Sequence, residues 1–365
     1  MRTSTKSLVA LTGVCALTIS LSGCGTDNAT TGSESKKAET VSVKGAVAGA
    51  GASSQKSAVE AWKAGFKEVA PDATITYDPV GSGAGITQFL GGGVAFAGTD
   101  QALTPEEVEK SKAVCKDSSA INLPVYVSPV AVAFNLEGIK SLNLRPEVIA
   151  KIFRGEITKW NDPAIAADNK DAHLPDTQII PIHRADKSGT TENFTEYLHA
   201  AAPSVWTDKP SKDWPVNGGE SGDKTAGVVQ ALKAAPGTIG YIDASQVSDL
   251  GSAALQSGSG FVPYSAEAAA KVVASAETEP GRAPSDLALK LNRTPTEEGI
   301  YPLVLVSYYA VCPTYKDSAQ APVVKEFIKF VVSEKGQKMA AESAGSAPLS
   351  AEMTEKVTKI LNEIK

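Results

Sequence analysis

Apolar residues recur along this chain at two spacings, and the way they alternate predicts strands followed by helices. Residues 41–48 read as a strand. In residues 57–70, Val59, Trp62, Phe66 and Val69 fall three and four apart and give a helix one apolar face. Residues 74–77 alternate as a short strand, and 94–97 form another apolar piece. Two longer runs are different in kind: INLPVYVSPVAVAFN (121–135) and YPLVLVSYYAVC (301–312) are β-branched and nearly continuous, as expected of strands buried on both faces. Lying far apart in sequence, they predict a double crossover in which the first of two domains is built from both ends of the chain. Two closing helices agree, one with Val323, Phe327, Phe330 and Val331 on a face, the other with Val357, Ile360, Leu361 and Ile364. Strands alternating with helices predict α/β sheets.

The polar interruptions share a composition. GAGASSQ (49–55), GSGAGI (81–86) and GTD (98–100) each follow a predicted strand, and RADKSGTT (184–191) runs into an expected helix start. The first amides of a helix lack intrahelical partners and sit at the positive end of its dipole, so such ends attract anions. Small residues let a ligand approach the amides, and Ser and Thr add hydroxyl donors. One such loop is ordinarily an N-cap or a turn. Four of them, together with Arg184 and Asp100, make a more specific pattern. Arg184 carries a fork of donors suited to oxyanions; read alone, it is a surface ion pair with Asp186. Asp100 should repel an anion, unless the anion carries a proton.

Composition sets the scale and the compartment. At 365 residues and 42% hydrophobic content, the chain can bury two cores of ordinary size. Arg2 and Lys6 precede an apolar run over residues 8–21 that is too short to span a bilayer comfortably and reads as an export signal. Leu21-Ser22-Gly23-Cys24 resembles the bacterial lipobox, which predicts a signal peptide over 1–23, a lipid anchor on Cys24 and a polar tether over 24–41. Cys115 and Cys312 remain, a pair that an oxidising compartment invites to form a disulfide.

Against 41 acidic residues stand 35 basic ones, and loss of Arg2 and Lys6 with the signal leaves 33, a net charge of −8. No basic stripe with interleaved aromatics interrupts this acidity, so nucleic acid is not an expected partner. Catalysis finds little support. None of Ser53, Ser82 or Ser188 has the flanking glycines of a nucleophile elbow, and the Gly-rich loops lack the lysine of a Walker A motif. The three histidines, His173, His183 and His199, show no metal-ligand spacing, and His183 beside Arg184 reads as structural. No enzyme activity, cofactor or metal is therefore expected.

GAGASSQ, GSGAGI with GTD, RADKSGTT and PGTIGY (236–241), in this order and at these separations, resemble the phosphate-binding proteins of bacterial high-affinity phosphate ABC transporters, the PstS family; KIFRGEITKWNDPAI (151–165) adds to the likeness. The similarity runs from about residue 42 to the C-terminus. It implies an α/β, two-lobed periplasmic-binding-protein fold of type II, with lobe I over 42–125 plus 306–365, lobe II over 126–305, and two crossover strands between them. It also implies an extracytoplasmic, membrane-anchored monomer that captures inorganic phosphate between the lobes and delivers it to ABC permease subunits. Carried over by motif, Ser53, Ser54 and Ser82 donate from lobe I and Asp100 accepts the ligand's proton. Arg184, oriented by Asp186, donates from lobe II with Ser188, Gly189 and Thr190. Many relatives have a Thr, an aromatic residue and a Pro where this chain has Ser53, Ser54 and Gln55. A different oxyanion or a phosphate ester is the alternative ligand, and a phosphatase or hydrolase the alternative class.

Overall fold

The computed structural model describes residues 40–365. The expected signal peptide, Cys24 and the tether as far as residue 39 lie outside the described residues.

From the N-terminus, β1 (Gly45–Gly51), α1 (Lys56–Val69), β2 (Ala73–Asp78), α2 (Ser82–Leu90), β3 (Phe96–Thr99) and α3 (Pro105–Ser111) alternate as expected. Then come β4 (Ile121–Phe134), β5 (Ser141–Leu144), α4 (Pro146–Phe153), α5 (Pro163–Ala166), β6 (Ile180–Arg184), α6 (Gly189–Ala201), β7 (Glu220–Gly222), α7 (Lys224–Ala234) and β8 (Thr238–Asp243). The chain continues through β9 (Gly251–Ser257), β10 (Gly260–Val262), α8 (Ala266–Ala274), β11 (Glu277–Thr278) and β12 (Leu289–Lys290). It closes with β13 (Val304–Val311), α9 (Gln320–Val332), α10 (Glu334–Ala344) and α11 (Ala351–Glu363). The main sheet runs β2-β1-β3-β13-β4-β8-β6-β7, with β9 pairing onto the end of β4 and joined there by β5 and β10.

β4 is the axis of this arrangement, and every one of its residues is buried. Its first part, from Ile121 to Pro129, pairs antiparallel with β13; from Val130 to Phe134 it pairs with β8 instead. The exchange falls at a proline, which has no N–H to offer a ladder, so pairing there is weakest and a change of partner costs least. Two half-sheets result. The first joins β2, β1, β3 and β13 to the start of β4, and the second joins β8, β6, β7 and β9 to its end.

Two strand boundaries differ from the pattern for identifiable reasons. Residues 41–44 stay outside the sheet because the Val41 amide donates to the Val69 carbonyl at the end of α1 (2.7 Å). At the other crossover β13 begins only at Val304: Pro302 has no amide hydrogen, and Tyr301 turns inward to donate its hydroxyl to the Val130 carbonyl (2.8 Å).

The predicted apolar faces pack on the first half-sheet, and the second is covered by aromatic residues that the periodicity did not single out. In α1, Trp62 is fully buried, meets Tyr126 and Tyr309 edge-on (ring centroids 6.2 and 6.4 Å apart) and donates its indole N–H to the Gly336 carbonyl (2.8 Å). On the second half-sheet, Phe153, Phe194, Trp214 and Tyr241 form an aromatic cluster in which Phe194 stacks on Tyr241 at 4.3 Å. Cys115 and Cys312 are joined by a disulfide across a separation of 197 residues, fixing the loop after α3 to the end of β13. Among the described residues, no helix is long and apolar enough to cross a membrane.

Candidate functional site

The loops that follow β1, β2 and β3 leave the carboxyl ends of parallel strands in the first half-sheet, and the loop after β6 leaves the carboxyl end of a strand parallel to β7 and β8 in the second; such ends are the usual place for a ligand crevice in an open α/β sheet. They bring Ser53, Ser54, Ser82 and Asp100 from the first half-sheet to face Arg184, Asp186, Ser188, Gly189 and Thr190 from the second.

Asp100 lies at the centre, 2% exposed. Its carboxylate accepts from Ser54 Oγ, which sits 2.7 and 2.8 Å from its two oxygens, from Thr190 Oγ1 across the crevice (3.1 Å) and from Ser307 Oγ. Its amide donates to Ser82 Oγ (3.3 Å). An ionised carboxylate offers about four acceptor positions, so three hydroxyls leave room for a further donor. Burial pushes this carboxyl above the usual range; the hydroxyls of Ser307, Ser54 and Thr190 and the Arg184 charge pull it back only in part.

Arg184 is a buried residue, not a surface one: its side chain is 3% exposed. The ion pair with Asp186 exists nonetheless and is bidentate, Nε to Oδ1 at 2.7 Å and Nη2 to Oδ2 at 2.6 Å, so Nη1 is not committed to it. Asp186 also accepts from the Lys224 amide (3.0 Å). Partial burial works upward on the Asp186 carboxyl, but the bonds and charge of Arg184 outweigh it and hold the group below its ordinary value. The backbone beneath is fixed by Tyr241, whose hydroxyl accepts from the Arg184 amide (3.2 Å) and pairs with Thr191 Oγ1 (2.8 Å).

Ser188 caps α6, its Oγ accepting from the Thr191 amide (3.2 Å), while its own amide is used by the Lys212 carbonyl (3.0 Å). The Gly189 and Thr190 amides, in the first turn, therefore remain as the donors of this helix end. Gly189 is also where the two sides touch: a Cβ there would lie 2.7 Å from Ser82 Oγ and 2.8 Å from the Asp100 Cβ. Gly81 is held at φ +93, and a side chain on it would strike Asp186 Oδ2 at 2.4 Å. The Ser53 hydroxyl meets Thr225 of α7, Oγ to Oγ1 at 2.9 Å, and accepts from the Thr225 amide (3.2 Å). Thr225 and Ser53 also line a cavity of about 410 Å³ between α1 and α7, whereas a wider one, about 810 Å³, lies between α10 and α11.

Sequence reasoning did not find Ser307, Thr225, Asn193 or Tyr241. Ser307 left a signal, being the lone small hydroxyl in a strand buried on both faces; Asn193 and Thr225 sit among ordinary helix residues and left none. His183 stacks on Trp214 (5.1 Å, 9° between planes) and its Nδ1 contacts the Arg184 carbonyl, a packing position. Among the described residues no cluster of His, Cys, Asp and Glu could hold a metal ion.

The profile of the PBP superfamily domain matches residues 28–335. Phosphate-binding protein PstS3 of Mycobacterium bovis is 35% identical over 356 residues, covering 94% of this chain and 95% of its own. Among solved structures, a high-affinity periplasmic phosphate-binding protein with bound phosphate superposes with a TM-score of 0.70 at 19% identity, covering 87% of this chain and 93% of its own. A phosphate-binding protein from Stenotrophomonas maltophilia gives 0.67 at 19%, covering 86% and 93%. The two-lobed periplasmic-binding fold is thereby shared.

Proposed function

The chain belongs to the PBP superfamily and, within it, to the PstS phosphate-binding proteins, and from this premise we propose that it captures inorganic phosphate between its lobes and delivers it to an ABC permease. It works outside the cytoplasm, as a monomer held to the membrane by lipid on Cys24. The lobes divide near the proposed limits, 42–125 with 306–365 against 126–305. The partner change of β4 at Pro129 and the start of β13 at Val304 support that division to within a few residues.

The single observation that carries the reading is Asp100: a buried carboxylate, supplied with hydroxyl donors and still short of one, at the meeting point of four anion-type loops. A phosphomonoester gives up its last proton near pH 6, but inorganic phosphate has a further hydroxyl in place of the ester group and so keeps a proton near neutral pH, whereas sulfate has none to give. A proton-bearing ligand completes the Asp100 shell, while a bare oxyanion meets unshared negative charge. Sites that pair a ligand hydroxyl can reject analogues without one by roughly 10⁴ to 10⁵. Around the phosphate, Arg184 supplies Nη1, Gly189 and Thr190 their amides, and Ser53, Ser82 and Ser188 their side chains or loop amides. Ser54 serves the ligand from its amide, because its hydroxyl is turned to Asp100. Crowding at Gly81 and Gly189 leaves little space for the organic part of an ester.

Equilibrium titration of the purified protein with phosphate, arsenate, sulfate and glycerol phosphate tests this. Strong binding of phosphate and arsenate with exclusion of the other two is expected; preference for sulfate or for the ester would overturn it.

A further inference from the structure

Beside the residues of the anion site, a second set of buried and half-buried polar groups ties the lobes together. Asn193, fully buried in α6, donates through Nδ2 to the Asp100 carbonyl in the opposite lobe (2.7 Å) and to the Gly189 carbonyl (3.0 Å). Three residues on, Glu196 accepts from Gln101 Nε2, again across the lobes (3.1 Å). Both partners are held by one side chain from the segment leading into β13. Arg293, 5% exposed, donates Nη2 to Asn193 Oδ1 and to Glu196 Oε2 (2.6 Å), Nε to the same oxygen (3.1 Å), and Nη1 to the Val304 carbonyl (2.6 Å).

The chemistry fixes the direction of this arrangement. A guanidinium has donors only, so it selects the oxygen of the Asn193 amide and leaves the NH₂ end to face two carbonyls. The same donors hold the Glu196 carboxylate where Gln101 reaches it. Arg293 itself is anchored on the crossover strand, which both lobes share, so it stands in place before the lobes meet. We propose that Arg293 is a positioning residue for closure: it presets Asn193 and Glu196 as a two-point latch that grips the Asp100 carbonyl and the Gln101 side chain and so slows release of the anion. The ligand-sensing carboxylate and the latch then share one residue, Asp100, by side chain on one hand and carbonyl on the other.

This rests on phosphate being the ligand, and stopped-flow phosphate binding with separate association and dissociation rates tests it. Each latch contact removed, in Gln101→Ala or Asn193→Ser, is expected to speed phosphate release roughly 5- to 30-fold, as loss of a hydrogen bond to a charged or buried partner does. Association should change by no more than about threefold, since the open protein lacks these contacts. Arg293→Lys, unable to reach both oxygens with a planar fork, should release as fast as the Gln101→Ala, Asn193→Ser double variant, and adding it to that double variant should bring little more. Gln101 lies at the crevice edge, so its variant keeps the test open should a buried substitution fail to fold. Release rates equal to wild type in Gln101→Ala would overturn the latch. So would losses that simply follow a lowered melting temperature of the phosphate-free variants. Absence of any phosphate signal in the wild-type protein would overturn the phosphate reading itself, and the latch with it.

Discussion

Asp100 and Asp186 face each other's lobe across the same crevice and are driven in opposite directions. Asp100 is buried among neutral hydroxyls and its carboxyl is pushed up; Asp186 is clasped by a guanidinium and held down. Dipoles from hydroxyl groups return only part of what a charge loses on leaving water, whereas a bidentate cation returns more. One carboxylate is thus committed to its own lobe as the brace of Arg184, and the other keeps an acceptor in reserve. On the function proposed above, an acidic protein can hold an anion on these terms because the carboxylate that keeps an acceptor in reserve is the one that a ligand proton satisfies.

The comparison breaks most severely if the clasp is removed. Arg184→Ala deprives the anion of its cation and leaves Asp186 facing it, and phosphate binding is expected to weaken by about 2–5 kcal/mol by calorimetry. Affinity within a few-fold of wild type would mean that Arg184 serves only Asp186.

A third carboxylate extends the contrast to stability. Asp243, fully buried where β8 meets β4 after Pro129, is pushed up to about 6, chiefly by burial, with bonds from Ser245 and Ser128 working against it and the Asp100 charge adding to it. A carboxyl raised in the folded state binds more protons there than when unfolded. Its contribution is therefore fully present below the unfolded value of about 4 and is lost as pH rises through about 6. The change amounts to about 3 kcal/mol, from about two pK units at 1.36 kcal/mol each. Urea unfolding of wild type and Asp243→Asn between pH 4 and 7 should show the variant gaining on wild type by this amount as pH rises. Asp100 adds to the same trend, while Asp186, depressed, adds stability above its unfolded value and loses it as pH falls. Parallel pH profiles for the two proteins would contradict the burial account of Asp243.

Asp100→Asn sharpens the contrast at the ligand. Phosphate affinity should fall by about 1.4–3 kcal/mol, while rejection of sulfate relaxes because bare oxygen no longer faces a carboxylate. Titration with both anions decides, and undiminished sulfate exclusion would remove Asp100 from the selectivity argument. The smallest effect is expected of Ser307→Ala. It withdraws one donor from Asp100, raises that carboxyl further and weakens phosphate binding by about 1 kcal/mol, most visibly toward the acid side. An unchanged pH profile of binding would show that the Ser307 bond does not tune Asp100.

Reading the chain without coordinates went furthest where chemistry is local. The Gly-, Ser- and Thr-rich loops, the Arg184–Asp186 spacing and the long apolar runs each declare themselves within a few residues, because backbone freedom, helix-end dipoles and two-sided burial are properties of short segments. Residues 121–135 and 301–312 stood out as crossovers for that reason, and the strands found there, Ile121–Phe134 and Val304–Val311, differ by one residue at the end of the first and by three at the start and one at the end of the second. Arg184 shows where local reading ends: its pairing with Asp186 was evident from the sequence, its burial was not.

What the sequence by itself determined, then, is which segments form strands and helices and which loops can offer donors to an anion. Only the tertiary structure decided that Ser307, more than two hundred residues away in sequence, completes Asp100, that Thr225 meets Ser53, and that Arg293 sets Asn193 and Glu196 against the opposite lobe. A hydrogen bond depends on distances of a few tenths of an ångström between groups whose separation along the chain carries no such information. It is the pairing of β4 first with β13 and then with β8 that brings them within reach.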